Sequence, residues 1–394
     1  MGLRASSRFQ PAQPPEQPDM VFLRDGNLLY GEGIAHRLSA RGENRILELS
    51  RLWQELVANS EVQDEVGLPG SGLVAFASIT FSPDSGFESV LVVPARLTVI
   101  RAGVSFVTEV AEVVEPEPTQ PVSGVFLSGE LPASGFVSAT ETAISKIQSS
   151  ELEKVVIARD LVMPLGGKPD LTTAIARLHE RYPHCWTYLV EGNFGASPEL
   201  LLRAQAGEVS ARVLAGTAGR GTDPDVDRAI AEGLAHSSKN KHEHEFAVQS
   251  LIQELSPVCD DLETDSEPFS LALPDLWHLA SDVRGRLKSE VTLLDAIARL
   301  HPTAAVAGTP RGKAQALIAE LEPFDRGGYA GPVGWISADG SGELAIALRG
   351  GRVEQNPWQI RAFAGCGIVA ESDPKAELAE TELKFKAVRY AFSD

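Results

Sequence analysis

The sequence contains few cysteines, no long apolar run and no excess of basic side chains. Its three cysteines, Cys185, Cys259 and Cys366, are too few and too scattered for a disulfide framework or a structural zinc site, which favours a reducing cytoplasm. No stretch approaches the roughly 18 apolar residues of a membrane span, and the N-terminus lacks the apolar core of a signal peptide. We therefore expect a cytoplasmic protein that does not enter a membrane.

The charged side chains are predominantly acidic. The 394 residues include 54 Asp and Glu but 35 Lys and Arg, which gives a formal net charge of −19. Since proteins that bind nucleic acid or anionic membranes need a basic face, this balance argues against both classes of partner. With 43% hydrophobic and 23% charged residues, the chain is able to bury a large core, so disorder over the whole length is also excluded.

Three segments with different residue patterns follow one another along the chain. Residues 1–19 contain four prolines and few apolar side chains, which predicts a disordered tail. Residues 20–124 contain short strand-like runs separated by turn residues, so we expect this part to be mainly β. In residues 125–394 helical and strand patterns alternate irregularly. This mixture predicts an α+β fold with large antiparallel sheets packed against helices, forming one integrated domain overall.

Three glutamates on two predicted helices are candidates for a metal site. Apolar residues at helical spacing place Glu243 on the inward face of its helix, and Glu377 and Glu380 stand one turn apart on a C-terminal helix. A buried carboxylate is unfavourable unless it is paired or bound to a cation. Each helix also has an ordinary explanation: Glu243 reaches solvent or an ion pair, and Lys384 forms a surface ion pair with Glu380. The alternative is one shared ion with oxygen ligands, of the Mg²⁺ type.

Three predicted strands carry residues that suit an acidic ligand. In the strand that ends at Arg349, side chains alternate, so Arg349 shares a face with small alanines that leave room for a carboxylate. The next strand ends in Gly365 and Gly367, whose backbone N–H groups could hold an anion. Lys154 opens another strand; a strand-edge lysine is usually solvated, but one that faces a site could act as a base. None of these features is specific on its own.

Together these segments resemble the chorismate-utilising enzymes, a family that includes isochorismate, salicylate, anthranilate and aminodeoxychorismate synthases. The resemblance extends over residues 140–390 and depends on several motifs in the family's order. These motifs are KVVIAR (154–159), GASPEL (195–200), LAGT (214–217), KNKHEHE (239–245), LWHL (276–279), HPT (301–303), RAFAGCGIV (361–369) and ELAET (377–381). The resemblance implies the fold of anthranilate synthase component I, chorismate as the substrate, Mg²⁺ as the cofactor and a monomer.

Three positions distinguish the activities within this family. Aminodeoxychorismate synthases carry a nucleophilic Lys where this sequence has Ala215, and anthranilate synthases lack the Lys that stands here at 154 and activates water. Salicylate synthases tend to carry a polar residue near the position of Val306, whereas this sequence has the apolar valine there. The resemblance therefore implies isomerisation of chorismate to isochorismate, with further elimination of pyruvate to form salicylate as the alternative. It leaves open whether the product feeds menaquinone or siderophore synthesis.

The resemblance also implies a role for each matching residue. Lys154 would act as general base on a water that attacks ring carbon 2, and Glu199 as general acid on the hydroxyl that leaves carbon 4. Glu243 and Glu380 would bind Mg²⁺, with Glu377 close by. Six further residues would hold or orient the substrate: Gly216, Thr217, His278, Arg349, Gly365 and Gly367. For the histidine, a buried structural role is the competing interpretation.

Overall fold

The computed structural model describes residues 2–114, 117–265 and 267–393 of the chain. Within its helices and strands, the side chains of Ala215, residues 238–240, His242 and Glu243 are left out of the description. The three cysteines are free and buried. Across the described residues, no helix has both the length and the apolar character that a bilayer crossing requires.

Strands alternate with helices along the chain. The strands before residue 130 are Arg4–Phe9 (β1), Met20–Arg24 (β2), Asn27–Ala40 (β3), Glu61–Asp64 (β4), Val74–Ser78 (β5), Ser89–Arg101 (β6), Val104–Glu109 (β7), Gln120–Pro121 (β8) and Leu127–Ser128 (β9). Those that follow are Lys154–Pro164 (β10), Pro169–Asp170 (β11), Trp186–Val190 (β12), Asn193–Ser197 (β13), Leu200–Gln205 (β14), Glu208–Gly219 (β15), Cys259–Thr264 (β16), Phe269–Ala272 (β17), Leu276–Leu287 (β18), Gly308–Thr309 (β19), Pro332–Ser337 (β20), Gly342–Ile346 (β21), Gly350–Glu354 (β22) and Gln359–Ile368 (β23). The helices are Arg45–Ala58 (α1), Ala133–Gln148 (α2), Thr172–Arg181 (α3), Pro224–His236 (α4), Ser238–Leu255 (α5), Leu293–Leu300 (α6), Arg311–Leu321 (α7) and Pro374–Ala391 (α8).

One large sheet contains all of these strands except β8 and β11, which form a separate short parallel pair. Its pairings are mainly antiparallel, and the pairing of β1 with β4 is parallel. Strands from both parts of the chain are neighbours in it, because β5 pairs with β20 and β2 pairs with β12. The segments 20–124 and 125–394 therefore share one sheet, and both contribute to each of the three clusters of buried apolar residues. The predicted α+β class with large antiparallel sheets is confirmed.

The tail predicted for residues 1–19 is wrong for residues 4–9, which form β1. This strand lies between β4 and β7 and pairs with both. Ser7 is buried in it, and its hydroxyl bonds the hydroxyl of Thr108 at 2.7 Å. Backbone pairing supplies the hydrogen bonds that this polar segment needs, and side-chain composition alone does not reveal such pairing.

The sequence pattern predicts one helix from about Asp225 to Leu255, but the structure has two helices there, α4 and α5. Asp223 caps α4 because its carboxylate accepts the N–H groups of Asp225 and Val226. Ser237 then adopts an extended conformation, with ψ of 116°, and interrupts the helical path. Both helices contact β15 and β18, so both need apolar residues at helical spacing. The spacing therefore continues across Ser237 and does not reveal the break between the helices.

A buried ion pair holds together the segments beside β10. The Arg326 guanidinium donates to both carboxylate oxygens of Glu322, at 2.8 and 2.6 Å, and both side chains are at most 3% exposed. Arg326 also donates to the carbonyl oxygens of Val156 and Val306, while Glu322 accepts the N–H of Ala158. All of these groups are removed from water, so the network is favourable only while every partner is present.

Replacing Glu322 with glutamine should destabilise the fold strongly, because the Arg326 charge then stays buried without a carboxylate. We expect the free energy of unfolding, measured by urea denaturation, to fall by about 3–5 kcal/mol. Glu48→Gln is the control, since its ion pair with Arg51 is exposed and its loss should leave the unfolding midpoint nearly unchanged. Equal losses in the two variants would show that the buried pair does not stabilise the fold.

Candidate active site

A cavity of about 290 Å³ brings together most of the residues that the sequence predicts for the site. Of the eleven predicted residues, ten line this cavity: Lys154, Glu199, Gly216, Thr217, His278, Arg349, Gly365, Gly367, Glu377 and Glu380. The eleventh, Glu243, belongs to α5, and its side chain lies outside the described residues. Its contact with a metal ion therefore stays a prediction.

Lys154 occupies the first position of β10, which is enclosed by neighbouring strands. β10 pairs with β23 on one side and with β19 on the other. Gly308 of β19 has a φ of +132°, and a Cβ there would lie 2.2 Å from the Lys154 carbonyl oxygen, so only glycine allows this close approach. As a result Lys154 is 9% exposed and lines the cavity, unlike a solvated strand-edge lysine.

Gly365 and Gly367 lie in the last four residues of β23, where they pair with Ala158 and Val156 of β10. A Cβ on Gly365 would lie 2.7 Å from the carbonyl oxygen of Ile157, so the strand pairing itself requires glycine at this position. Both residues line the cavity. Their contact with an anion stays a prediction.

Glu199 lies in the turn between β13 and β14, directly after Pro198. Its carbonyl accepts the N–H of Ile346 at 3.1 Å, and its own N–H donates to the Ser197 hydroxyl at 3.2 Å, so the backbone is held on both sides. The residue is 6% exposed, and burial raises the pKa of its carboxyl to about 8, although neighbouring cations, Lys154 foremost, oppose the shift. At pH 7 this carboxyl is therefore protonated and able to donate a proton.

Gly216 and Thr217 line the cavity at a bulge in the pairing of β15 with β18. The register shifts between Ala215 and Thr217, and Gly216 has a φ of +79°, which L side chains rarely adopt. The Gly216 carbonyl oxygen and the Thr217 hydroxyl each lie 3.2 Å from Nδ1 of His278. The bulge therefore fixes one edge of the histidine ring.

The hydrogen bonds of His278 assign its tautomer. Arg349 can only donate, so His278 Nε2, 2.9 Å from the guanidinium Nη2, is the acceptor. Nδ1 then carries the proton and donates to the Gly216 carbonyl. Burial lowers the pKa of the ring well below its usual value, and the charges of Arg349 and Lys384 add to the shift. The neutral ring is satisfied by its neighbours and also supports the Arg349 guanidinium at the cavity wall.

Arg349 enters the cavity from a bend and not from the predicted strand. β21 ends at Ile346, and Arg349 has a φ of +54° in the connection to β22, so the expected alternation of faces does not extend to it. Its guanidinium donates to His278 but has no carboxylate within 4 Å among the residues that the structure describes. Burial lowers its pKa. Because an enclosed guanidinium without a counter-ion is unfavourable, this position favours an anionic ligand.

The helix α8 contributes two carboxylates and one cation to the cavity, from Glu377, Glu380 and Lys384. Lys384 Nζ lies 2.7 Å from Glu380 Oε1 and also donates to the Gly365 carbonyl at 2.7 Å. The expected surface ion pair is thus an internal one, since Lys384 is only 15% exposed. Burial raises the pKa of Glu377; a hydrogen bond from Ser372 opposes the shift, and the charge of Glu380 adds to it.

The donor set on α8 suits a hard cation. Within residues 2–114, 117–265 and 267–393, Glu377 forms no ion pair closer than 4 Å, although burial disfavours its charge. Over the same residues, no group of three or more His, Cys, Asp or Glu side chains has the arrangement of a metal site. Two carboxylates completed by water and substrate oxygens are common for Mg²⁺, so Glu377 and Glu380 fit this ion. The sequence predicts Glu243 as a third ligand.

Sequence patterns missed several residues that line the cavity. Tyr329 comes from the loop before β20 and stacks on Phe363, with ring centroids 4.9 Å apart. Ser372 precedes α8 and bonds Glu377. Loop residues such as these show no periodic hydrophobic pattern in the sequence. The position of Lys384 one turn after Glu380 does follow from helical spacing, but its burial inside the cavity does not.

Comparison with known proteins identifies the family. A model of the chorismate binding enzyme family matches residues 99–393, well over half of the chain. The protein belongs to the chorismate-binding enzymes. The family membership expected from the sequence motifs is confirmed.

Several chorismate-binding enzymes are similar to this one over most of their length. Isochorismate synthase MenF of Bacillus subtilis (strain 168) is 30% identical over 392 residues, which cover 90% of this chain and 83% of the relative. The salicylate biosynthesis isochorismate synthase of Pseudomonas aeruginosa is 31% identical over 424 residues, which cover 96% of this chain and 84% of the relative. The fold resembles that of MenF, the menaquinone-specific isochorismate synthase from Escherichia coli, with a TM-score of 0.81 at 22% identity, covering 100% of this chain and 95% of that chain.

Proposed function

We propose that this chorismate-binding enzyme is an isochorismate synthase, an isomerase that converts chorismate to isochorismate. Relatives named isochorismate synthase align with it over 83% and 84% of their own length, which supports the proposal. The observation that carries it is the buried Glu199, whose carboxyl pKa is raised by burial, in the same cavity as Lys154. An acid and a base in one cavity suit the exchange of one hydroxyl for another, and this exchange requires no redox cofactor.

The proposed reaction adds one water and releases another. Water attacks ring carbon 2, and the amine of Lys154, in its neutral form, accepts the proton that this water loses. The ring double bond shifts as the hydroxyl leaves carbon 4, and Glu199 donates the proton that converts the hydroxyl to water. Both residues return to their starting states by proton exchange with solvent. General acid and general base catalysis each contribute about 10²–10⁴-fold in enzymes of many kinds.

Chorismate carries two carboxylates, and we assign different residues to each. Arg349, which lacks a counter-ion among the described residues, would hold the enolpyruvyl carboxylate, together with the backbone at Gly365 and Gly367. Gly216 and Thr217 would donate near the ring carboxylate. The arginine is the strongest of these assignments, because a paired guanidinium–carboxylate contact removes the cost of its burial.

We further propose that Mg²⁺ is the cofactor. Glu377 and Glu380 would hold the ion, and the family resemblance adds Glu243 as a third ligand. When bound, the ion would neutralise the ring carboxylate and disperse negative charge in the cavity. The residues of the chain would still supply the proton transfers through Lys154 and Glu199.

The pathway, the cellular location and the assembly remain predictions. The relatives named isochorismate synthase MenF and salicylate biosynthesis isochorismate synthase are 30% and 31% identical to the chain, so sequence identity does not select a pathway. We propose a monomeric enzyme of the cytoplasm that acts on a small-molecule substrate, with no nucleic acid or membrane as partner.

Incubation with chorismate and Mg²⁺ tests the proposed function. We expect isochorismate to form without salicylate or pyruvate. Chromatography of the reaction mixture measures all three compounds. Val306 is 4% exposed and presents an apolar wall to the cavity, which gives the elimination of pyruvate no polar assistance. Release of pyruvate would instead identify a salicylate synthase, and binding of chorismate without any product would identify a non-catalytic binding protein.

Replacing Glu199 with glutamine should lower kcat about 10²–10⁴-fold, because the amide cannot protonate the leaving hydroxyl. In the parent enzyme kcat/KM should fall as the pH rises through about 8, since the carboxyl of the free enzyme is protonated below that pKa and loses its proton above it. Steady-state kinetics across neutral and alkaline pH measures both effects. Glu320→Gln, at an exposed glutamate paired with Lys146, should change neither. An unchanged kcat in Glu199→Gln would exclude this residue as the acid.

Replacing Glu380 with glutamine should weaken Mg²⁺ binding by roughly tenfold or more, because one carboxylate ligand is lost. Calorimetric titration of Mg²⁺ measures the affinity directly, and the Mg²⁺ dependence of the rate gives a second readout. Glu382→Gln is the matched control on the same helix, since this carboxylate pairs with Arg159 and Arg389. If Glu380→Gln and Glu382→Gln bind Mg²⁺ equally well, the proposed metal site does not exist.

A further inference from the structure

A second pocket, of about 200 Å³, lies where the ends of β2 and β6 meet β14 and the hairpin of β20 and β21. Among the residues described, it shares no lining residue with the catalytic cavity. Three arginines line it, Arg24, Arg101 and Arg203, together with two carboxylates, Asp25 and Glu343. The arginines therefore outnumber the carboxylates here, in a chain whose net charge is −19.

Both carboxylates of this pocket already have partners. Asp25 forms an ion pair with Arg24 at 3.4 Å and lies 2.5 Å from Nδ1 of His184. Glu343 Oε1 accepts the indole N–H of Trp186 at 2.6 Å. Three arginines against two carboxylates leave the pocket with one more positive than negative formal charge.

Two buried N–H donors of the pocket have no acceptor in the part of the chain that the structure describes. They are Nε of Arg101 and the indole Nε1 of Trp335, a side chain that is only 3% exposed. Over the same residues Arg101 and Arg203 form no ion pair closer than 4 Å. Buried donors are rarely left unsatisfied in folded proteins, so these two are available to an acceptor that is not part of the chain, an ordered water or the oxygen of an anion.

The arginines of the pocket also repel one another. Burial lowers the pKa of Arg24 and of Arg101; Glu343 opposes the shift, and the charge of Arg203 adds to it in both cases. An anion placed between the guanidinium groups would replace this repulsion by attraction.

We propose that this pocket binds a small oxyanion, the carboxylate or phosphate group of a metabolite. Guanidinium groups present paired N–H donors that match the oxygens of either group. The indole N–H of Trp335 adds a neutral donor, and Phe22 provides an apolar wall. A volume of about 200 Å³ restricts the ligand to a small molecule.

Isothermal titration of the full-length protein at constant ionic strength tests the proposal. The probes are sodium phosphate and sodium citrate, with sodium chloride as the blank. We expect saturable binding of at least one probe. Saturation by phosphate alone identifies a phosphate site, and saturation by citrate alone identifies a carboxylate site. If neither probe saturates, the proposal is wrong.

Variants locate the binding. Arg101→Met should weaken anion binding roughly tenfold or more, because a charged donor is lost. Arg203→Met, at an exposed position, should also weaken anion binding, and this variant tests the proposal if Arg101→Met does not fold. Arg286→Met, at an arginine 64% exposed and outside the pocket, is the matched control and should bind normally. Arg349→Met should also bind normally. Loss of binding in Arg349→Met, with normal binding in the two pocket variants, would assign the anion to the catalytic cavity and overturn the proposal.

Discussion

The antiparallel pairing of β10 with β23 is the constraint on which the catalytic cavity depends. It begins at Val155, directly after Lys154, and places Gly365 of β23 opposite Ala158 of β10, where a side chain would collide with the backbone. The helix α8 packs on β23 and brings Glu377 and Glu380 to the same cavity. Because backbone hydrogen bonds define the register of a sheet, a shift of one residue would turn Lys154 to the opposite face.

Burial gives this acidic chain a cavity with the opposite local character. Lys154, Lys384 and Arg349 all lower the pKa of Glu199, yet desolvation outweighs the three of them and keeps the carboxyl protonated near pH 7. Because the Glu199 carboxyl is neutral, the nearby cations do not form an ion pair with it. Lys384 does pair with Glu380. A dianionic substrate meets local positive charge in the cavity, and the net charge of the surface matters less at such short distances.

Some of the fold follows from neighbours in the sequence. The start of β10 at Lys154 and the start of α8 after Asp373 agree with strand alternation and helix capping, which depend on adjacent residues. The strand β1 and the break at Ser237 do not follow from such patterns. Both depend on partners distant in the sequence, such as β4 and β7 for β1, and a pattern of local hydrophobicity contains no information about these partners.

The sequence by itself determined which residue types are available for chemistry, and its motifs identified ten positions that line one cavity. Only the tertiary structure decided that Glu199 is protonated, that Lys384 is internal and that Arg349 projects from a bend next to His278. It also decided that the arginines of the second pocket lie together. The physical reason is that a protonation state or an ion pair depends on desolvation and on distances between groups far apart in the chain, and no local pattern specifies either quantity.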